Sequence, residues 1–550
     1  MIDHFPNSRN PDGAVPRMKD LPVTIKKYMD CRKGRTGLGF RFSHIVGIGK
    51  IMGLTTGWLL LVPVLVLGEG PTQMPTPSTE DPYLQERLDR AIEKAKAVPR
   101  NVWGRIREAR QWMWEEYPDQ VLINEDTEIH WPRFLAAALD IPPWLDLGMT
   151  ARLRREGFDY PFKADQKGSA WQWAHRSRFR ASTRWKAFRT LVELQGSTSG
   201  QDAASDVVGI STFNAGNVQQ LFVAVTLPNV LQTGLRTDLH VGRINLDVGS
   251  RRLVARSRFG NTSQAFDGIH WNLANEGLWH FRAFFSEIVL PTNTTDRLGL
   301  FTNSRHLFWG FSYETHQIPW SRIQLYYFGT DEDAENERVS RAHSTFGLRL
   351  YQPPEMEAFD YDGESAWQIG TFDGHNHFAY FQHISFGYTF RLPWAPRIMA
   401  MYDYASGTDS ATGNYSQTFD GLFGARRGEF TPTGLFGPFF RSNISSPGIR
   451  VILNPRPELK LNLKFRAWYL AQSRDVWTNS GLQDPTGASG NVLGQDVEVR
   501  VQWDPYPNLS VDAGYDHFFK GSYISKQTNV PGNPPANDTD TFYMQTEVRF

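Results

Sequence analysis

The sequence predicts an all-β protein: a transmembrane antiparallel β-barrel of about 18 strands, preceded by a short helical extension at the N-terminus. Three observations lead to this fold class. The last ten residues alternate strictly between apolar and polar positions, the same alternation recurs along the chain from Trp144, and the connections between the recurring segments alternate between short and long.

The C-terminal segment runs from Thr541 to Phe550. Every second residue from Phe542 to Phe550 lies on one largely apolar face, and the residues between them, Tyr543 to Arg549, lie on a polar one. The aromatic end resembles the signal that the assembly machinery of bacterial outer membranes recognises. A last strand that pairs with the first and turns its outer face to lipid explains the pattern. An ordinary edge strand is the alternative.

The alternation continues through the region from Trp144 to the end of the chain. Leu459 to Phe465, for example, alternates apolar residues with Lys460, Asn462 and Lys464. A period of two is typical of half-buried strands. The pattern predicts strands that start near residues 145, 170, 184, 218, 235, 264, 278, 301, 320, 341, 358, 374, 395, 437, 458, 492, 508 and 538.

The connections separate a membrane barrel from a soluble sandwich. Links after even-numbered strands are short, such as Ser182–Thr183 and Asp504–Asn508. Most links after odd-numbered strands are long, such as Ser197–Asn217 and Gly407–Gly437, and Asp373–Gly374 is an exception. Short periplasmic turns that alternate with long outer loops are typical of outer-membrane barrels. The even number of strands returns both ends to the periplasm.

The composition fits this class and argues against others. Aromatic residues make up 13% of the chain, enough to supply girdles at two membrane interfaces. Residues 69–550 carry 48 basic and 54 acidic residues, a net charge of about −6, so no basic surplus indicates nucleic-acid binding. The one cysteine, Cys31, precedes the predicted mature chain, which excludes disulfides and thiolate chemistry there.

Residues 1–68 are predicted to be a presequence that contains a signal peptide. Ile51 to Leu67 is the only long apolar run; it follows Arg41 and Lys50 and precedes Gly68, a small residue suited to cleavage. A membrane anchor with a cytoplasmic tail is the alternative. Because fifty residues are too long for the basic region of a signal peptide, a downstream start is expected at Met18, Met29 or Met52.

Residues 69–143 are predicted to form the helical extension on the periplasmic side, and residues 144–550 the barrel. After the linker Pro71 to Thr79, Asp81 and Pro82 suit an N-cap followed by proline at the first helical position. Apolar residues at helical spacing follow. A packing extension is the simpler interpretation. A plug of the pore, or a docking segment for a periplasmic partner, is the alternative.

Basic residues share the inward parity of neighbouring strands. Arginine offers a carboxylate a planar, permanently charged fork, and charged rings in a narrow lumen select the sign of a permeant ion. Mutual pairing, as of Arg500 with Glu498 or Asp512, is the alternative. The residues predicted to line the pore and bind an anionic solute are Arg152, Arg154, Arg176, Arg178 and Arg180 on strands 1 and 2, and Lys460, Lys464, Arg466 and Arg500 on strands 15 and 16.

Four groups of motifs occur in order over roughly residues 140–550. They are Arg152 to Glu156; Gly242-Arg243 with Asp247, Gly249, Arg251, Arg252, Asn261 and Phe266 to Gly268; Asp403 to Gly407 with Asp409, Thr418 to Asp420 and Leu422-Phe423; and Asp484 to Gly487 with Gly494-Gln495, Trp503 to Pro505 and Tyr515. Together they resemble the alginate export family of bacterial outer-membrane porins.

This resemblance implies an eighteen-stranded barrel, a lumen lined by arginine and lysine set against acidic residues, and outward passage of a uronic-acid polysaccharide. It adds Arg243, Arg251 and Arg252 to the expected pore lining. Ile244 and Phe259 depart from the family pattern, so a polymer other than alginate fits as well. Turn chemistry is the alternative for the loop motifs. The residues expected at a loop or constriction are Asp247, Asp403, Ser406, Gly407, Asp409, Asp420 and Asp484.

Neither a cofactor nor a metal site is predicted, and the chain is not expected to be an enzyme. His375 and His377 alternate on a strand, but the sequence shows no third ligand. Asp331 to Glu337 suits a solvated loop better than a divalent-cation site shared with lipopolysaccharide. The chain has no Gly-x-Ser-x-Gly motif, and neither Glu156 nor Asp420 has an evident partner for lyase chemistry.

The sequence therefore predicts a monomeric outer-membrane channel that passively conducts an anionic solute, with export of an alginate-like acidic polysaccharide as the leading hypothesis. An uptake porin for small carboxylates is the alternative, and a barrel enzyme or an adhesin is the alternative from another class. The expected partners are outer-membrane lipid and lipopolysaccharide, the assembly machinery acting on Phe550, the acidic polysaccharide and periplasmic export proteins. Sec-type secretion to the periplasm is expected to precede membrane insertion.

Overall fold

The computed structural model describes residues 142, 144–164, 166, 168–201, 214–275, 277–289, 306–334, 339–409, 414–431, 436–506, 508–527 and 533–550. The predicted presequence and the predicted helices of the extension lie outside these residues. In the described part, the helical segments are a 3-10 turn at Val230–Gln232 and a short helix, α1, at Ser522–Ser525. No described helix is long and apolar enough to cross a membrane.

Eighteen antiparallel strands form the wall of a closed barrel. A two-residue strand, Tyr415–Ser416, pairs with the barrel from within a loop. The barrel strands are β1 (Leu145–Asp159), β2 (Ala170–Trp185), β3 (Phe188–Gln201), β4 (Asn214–Leu227), β5 (Arg236–Ile244), β6 (Ala265–Asn275), β7 (Trp279–Val289), β8 (Leu307–Ile318), β9 (Ser321–Glu332), β10 (Arg341–Gln352), β11 (Phe359–Phe372), β12 (His375–Thr389), β13 (Arg397–Ala405), β14 (Ile444–Arg456), β15 (Leu459–Tyr469), β16 (Val492–Tyr506), β17 (Leu509–Lys520) and β18 (Thr539–Arg549).

The last strand closes the barrel on the first, as the C-terminal pattern predicts. β18 pairs with β1 from Thr150 opposite Arg549 to Asp159 opposite Asp540. The backbone of Phe550 adds two hydrogen bonds to Met149, of 2.8 and 3.1 Å, so the terminal residue also belongs to the seam. Closure leaves no unpaired strand edge, which a spanning sheet requires.

The predicted strands and the alternation of connections are confirmed. Short turns after even-numbered strands alternate with longer loops after odd-numbered strands, and the two-residue link Asp373–Gly374 between β11 and β12 is the expected exception. Four starts differ by four residues or more: β3 begins at Phe188 rather than near 184, and β4 at Asn214 rather than near 218. β8 begins at Leu307 rather than near 301, and β14 begins at Ile444 rather than near 437. The residues before Ile444 belong to a loop inside the barrel. We call the two ends of the barrel the turn end and the loop end.

The outer and inner faces of the wall follow the period of two. Leu153, Phe179, Phe465 and Met544 are among many apolar side chains exposed on the outside. Large aromatic residues are exposed at the turns, and three of them are Trp185, Trp320 and Trp394 at 66%, 71% and 55%. An apolar band with aromatic residues at its rim is the surface that a lipid bilayer needs.

The apolar core lies inside the barrel, between the wall and the loops. Phe266 and Phe308 from the wall pack around Phe423 of a loop, with ring centroids 5.3 and 4.8 Å from it. In a second cluster, Phe439 of the same loop stacks on Trp468 at 3.7 Å. These contacts hold loop segments in the lumen, and they set the position of the polar groups described next.

Candidate functional site

Two long loops from the loop end fold into the lumen, and we call them the inner loops. The first, residues 245–264, joins β5 to β6, and the second, described over residues 406–409, 414–431 and 436–443, joins β13 to β14. They meet where Val254 forms a β-bridge with Phe423, beside hydrogen bonds of 2.9 and 3.0 Å. A Cβ at Gly424 would lie 1.7 Å from the carbonyl oxygen of Arg252, so this approach requires a residue without a side chain.

Arginines of β1 and β2 hold the first inner loop. Arg152 Nη1 donates hydrogen bonds to the carbonyl oxygens of Arg258 (2.9 Å) and Phe259 (3.0 Å). Its Nη2 donates to the carbonyl of Gly260 (3.1 Å) and to Asn261 Oδ1 (3.0 Å). One guanidinium therefore binds four consecutive residues of the loop. Its five donors in a fixed plane make this possible.

The neighbouring arginines extend the same surface. Arg176, directly opposite Arg152 in the register, donates to the carbonyls of Arg258 (3.0 Å) and Gly260 (2.8 Å). Arg178 donates to Gln195 (2.7 Å) and to Ser263 Oγ (2.8 Å). These arginines of β1 and β2 lie on the inner face of the wall, as the alternation predicts. We call the arginine wall the set Arg152, Arg154, Arg176, Arg178 and Arg180, with Arg256 of the first inner loop.

Positive charge exceeds negative charge on the arginine wall. Arg154 pairs with Glu156, Arg176 pairs with Glu547, and Arg178 and Arg256 both pair with Glu193. Glu547 is shared with Arg549. The carbonyl oxygens of the loop accept hydrogen bonds from the terminal nitrogens of Arg152 and Arg176 but carry no net charge. Because Glu193 and Glu547 are each shared by two arginines and Arg152 binds neutral groups of the loop, this side of the lumen has a net positive field.

Another part of the wall pairs its charges closely. We call the paired wall five ion pairs on β10 to β17, whose charged atoms lie 2.5 to 2.9 Å apart. They are Arg349–Asp362, Arg397–Asp360, Arg466–Asp403, Lys464–Glu498 and Arg500–Asp512. Arg500 binds Asp512 through two parallel hydrogen bonds of 2.9 and 2.8 Å. Here the pairing expected as the alternative for Arg500 is the arrangement found.

Arg252 links the first inner loop to the far side of the barrel. Its guanidinium lies 2.6 Å from Glu364 and 2.8 Å from Asp362 on β11, and 2.6 Å from Glu429 of the second inner loop. Burial lowers its pKa, but the three carboxylates outweigh this effect, so the pKa is raised well above its usual value. β1 and β11 are nearly opposite in an eighteen-stranded ring, so this loop crosses the lumen.

The second inner loop is fixed by Asp420. Its carboxylate accepts a hydrogen bond of 2.5 Å from Arg341 and lies 3.1 Å from His343 Nε2. Its backbone exchanges two hydrogen bonds of 2.8 Å with Gln368. Burial alone would raise the pKa of this carboxyl, but the positive groups hold the pKa well below its usual value. Asp420 therefore docks the loop on β10 and β11.

The other expected constriction residues have varied positions. Asp247 binds Arg251 within the first inner loop (2.7 Å), and Asp403 faces inward from β13. Ser406 Oγ and Gly407 lie at the root of the second inner loop, where Ser406 donates to the carbonyl of Gln417 (2.7 Å). Asp409 is exposed. Asp484 is partly buried and accepts hydrogen bonds from the backbone N–H groups of Thr486 and Ser489, which is turn chemistry.

One expected pore-lining residue has a different place. Arg243 lies opposite Asp267 in the register and on the same face as Val241 and Ile269, which are exposed on the outside of the barrel. It binds Asp267 through hydrogen bonds of 2.7 and 2.8 Å. The strand parity therefore places Arg243 on the outer face near the loop end, and we correct its assignment to the lumen. The motif alone does not indicate the face.

Some groups in the lumen could not be predicted from the sequence, or differ from the prediction. The loop carbonyls of residues 258–260, which bind the arginines, are backbone groups that no residue type reveals. Asn261, part of a motif, holds the loop by donating to the carbonyls of His175 and Thr198 (3.2 Å each). His375 is exposed and His377 is buried beside Gln368, and they share no metal-binding group among the described residues.

Comparisons with known proteins give one family and several similar solved structures. The model of the alginate export family matches residues 143–534. Similar solved structures include three from Pseudomonas aeruginosa. OccD3 (OpdP) is 9% identical with a TM-score of 0.48, over 74% of this chain and 91% of that chain. The outer membrane protein opdK is 12% identical with a TM-score of 0.48, over 74% of this chain and 98% of that chain. OccK2 (OpdF) in complex with glucuronate is 12% identical with a TM-score of 0.47, over 74% of this chain and 98% of that chain. No curated protein matches the sequence.

Proposed function

The chain belongs to the alginate export family and is a channel of the outer membrane; from this premise we propose that it conducts an anionic solute along the arginine wall. We further propose that the solute is an acidic polysaccharide of the alginate type, exported from the periplasm. The observation that carries the proposal is the excess of guanidinium groups over carboxylates on one side of the lumen.

The chemistry of a polyuronate supports this choice. Such a polymer carries one carboxylate on each sugar, so it meets the same positive field at every step along the wall. The arginines are already held by loop carbonyls, which fixes their planes before a solute arrives. Binding at several weak, repeated positions lets an anion enter and leave without stalling.

Uptake of small carboxylates is the second candidate, and the inner loops favour it. The first inner loop runs from the arginine wall to Glu364 on the far side of the barrel. A loop that crosses the lumen reduces the cross-section left for a solute. Permeation by monomeric uronate and oligouronate, compared in the same preparation, separates the two candidates.

The remaining expectations about the route to the membrane are also proposals. We propose Sec-type secretion directed by the apolar run Ile51 to Leu67, and recognition of the C-terminal strand by the barrel assembly machinery. Phe550 pairs with Met149 at the seam, so the signal would be covered once the barrel closes. Lipid, lipopolysaccharide and periplasmic export proteins are the proposed partners of a monomer.

The test is ion selectivity and block in a planar bilayer. The full chain is expected to prefer anions under a salt gradient and to be blocked by oligouronate but not by a neutral oligosaccharide of equal length. Arg178→Glu replaces one positive charge of the arginine wall by a negative one, and it should weaken both the preference and the block.

A matched control removes one charge of each sign from the paired wall. The double substitution Arg500→Gln with Asp512→Asn changes no net charge and should leave the reversal potential as it is. Conductance with neither selectivity nor block would contradict the proposed solute and leave a general porin.

A further inference from the structure

Two histidines and a glutamate meet on the inner wall at the turn end. His280 of β7 lies directly opposite Glu314 of β8, and His316 follows Glu314 by two residues, so all three point into the lumen. Each offers one ligand atom, and these atoms all lie within 4.8 Å of one another. Glu314 is fully buried, His280 is nearly so, and the side chain of His316 is 15% exposed.

The polar atoms of this group are only partly satisfied. Glu314 Oε1 lies 2.6 Å from His316 Nε2 and accepts a 2.6 Å hydrogen bond from the Tyr351 hydroxyl. Glu314 Oε2 and His280 Nδ1 are buried and have no hydrogen-bond partner among the described residues. Buried polar atoms are nearly always satisfied, so an unsatisfied carboxylate oxygen beside an unsatisfied imidazole nitrogen points to a missing ligand.

We propose that His280, Glu314 and His316 bind a divalent transition-metal ion of the zinc type. Two imidazoles and one carboxylate form a ligand set that suits borderline metals such as Zn²⁺ rather than Mg²⁺ or Ca²⁺. Tyr351 holds the carboxylate in place from outside the ligand set, as outer-shell groups of metal sites do. Three protein ligands leave coordination positions open to water or to an anionic group.

A second cluster with the same kinds of donor shows why this one is chosen. His383, Asp403 and Glu429 also bring their ligand atoms within 4.8 Å. There, however, Arg466 binds Asp403, and Arg252 and Arg441 bind Glu429, so guanidinium groups already occupy the carboxylates. The group at the turn end lacks this neutralisation among the described residues.

The arginine on the same strand as His280 is engaged elsewhere. Arg282, two residues from His280 on the same face, donates to Asn272 Oδ1 (3.1 Å) and to the backbone carbonyl of Asp247. The carboxylate of Glu314 therefore keeps its negative charge available for a metal ion. This inference does not rest on the proposed transport function, because it concerns equilibrium binding at one wall.

The test is Zn²⁺ binding by the full chain in detergent, purified with a tag that contains no histidine. After removal of metal and dialysis against Zn²⁺, atomic emission gives the stoichiometry, and a competition titration gives the affinity. His280→Gln and Glu314→Gln should each abolish binding of one Zn²⁺ or lower the affinity for it by more than about 100-fold. Loss of an outer-shell partner costs roughly 10- to 100-fold in affinity. Tyr351→Phe should lower the affinity for Zn²⁺ only within this smaller range.

The matched control is His306→Gln, which alters a buried histidine just before the other end of β8. It should retain the full zinc stoichiometry and affinity. Heat-modifiable migration on gels establishes that each variant is a folded barrel. Co²⁺ in place of Zn²⁺ should give a visible spectrum of a nitrogen and oxygen ligand set that His280→Gln abolishes. Equal Zn²⁺ binding by wild type and both ligand variants, all folded, would overturn the proposal.

Discussion

The barrel holds its buried arginines in two ways, and the arginine wall and the paired wall show the contrast. On the arginine wall, Arg152 directs its donors at neutral groups of a loop, and Arg176 divides its donors between loop carbonyls and Glu547. On the paired wall, Arg466 and Arg500 direct theirs at the carboxylates of Asp403 and Asp512. Both arrangements bind terminal nitrogens of the guanidinium groups, but a carboxylate also cancels the charge and a carbonyl does not.

This difference assigns separate tasks to similar side chains. A paired cation stabilises the barrel only together with its partner, because removal of one partner leaves the other charge buried and uncompensated. An arginine bound to carbonyls fixes the position of a loop and keeps its charge for a passing anion. Stability should therefore depend most on the paired wall, and selectivity on the arginine wall.

The largest expected effect is the loss of Arg466, the most connected cation of the paired wall. It is fully buried and binds Asp403, Ser446 and the carbonyl of Glu429. Arg466→Met removes the guanidinium partner of Asp403 and should lower the free energy of unfolding by about 3–5 kcal/mol. Urea titration of the barrel refolded in lipid vesicles measures the change.

The control for this prediction is the double substitution Arg466→Met with Asp403→Asn. Removing both charges should recover most of the lost stability, because no uncompensated carboxylate remains. If the single and the double variant were equally unstable, packing of the Arg466 side chain rather than its charge would explain the loss.

Loss of Arg152 should have a smaller effect on stability but a visible one on the loop. Arg152→Met removes hydrogen bonds to four consecutive residues of the first inner loop. Since the freed carbonyls can turn to water in the lumen, we expect a loss of about 1–3 kcal/mol in the free energy of unfolding. Single-channel recordings should show more frequent current fluctuations, because the loop is less firmly held.

Arg184→Gln is the matched comparison for the loop effect. Arg184 shares the inward parity of β2 but is exposed near the turn end, away from the first inner loop. Its substitution should leave the current fluctuations unchanged. Equal fluctuations in the two variants would mean that Arg152 does not hold the loop.

The sequence reveals the walls better than it reveals the loops. Strict alternation was enough to place β1, β15 and β18 and to turn their arginines inward, because the two faces of a membrane strand meet opposite environments. The same rule failed near residue 437, where aromatic residues such as Phe439 and Phe440 resemble a strand but pack inside the lumen. A residue pattern reports burial, and a loop in the lumen is buried too.

The site was partly beyond sequence reasoning for a related reason. The partners of Arg152 are backbone carbonyls, which have no signature in the sequence. The group of His280, Glu314 and His316 depends on the register between β7 and β8, because the ligands are 34 and 36 residues apart along the chain. Alternation gives the face of each residue, but not its neighbour on the next strand.

The smallest expected effect separates charge from geometry on the arginine wall. Arg154 donates to the carbonyl of Phe259 (2.5 Å) and to Glu156 (2.8 Å), and its guanidinium lies 4.3 Å from the ring centroid of Phe259. Arg154→Lys keeps the positive charge but loses the planar fork, so one of these interactions is lost. We expect a loss of about 0.5–1.5 kcal/mol in the free energy of unfolding and no change in ion selectivity.

Arg154→Gln should cost similar stability but also reduce the anion preference, measured by reversal potential under the same salt gradient. If Arg154→Lys changed the selectivity as much as Arg154→Gln, the field of the arginine wall would depend on the orientation of each guanidinium rather than on the sum of their charges.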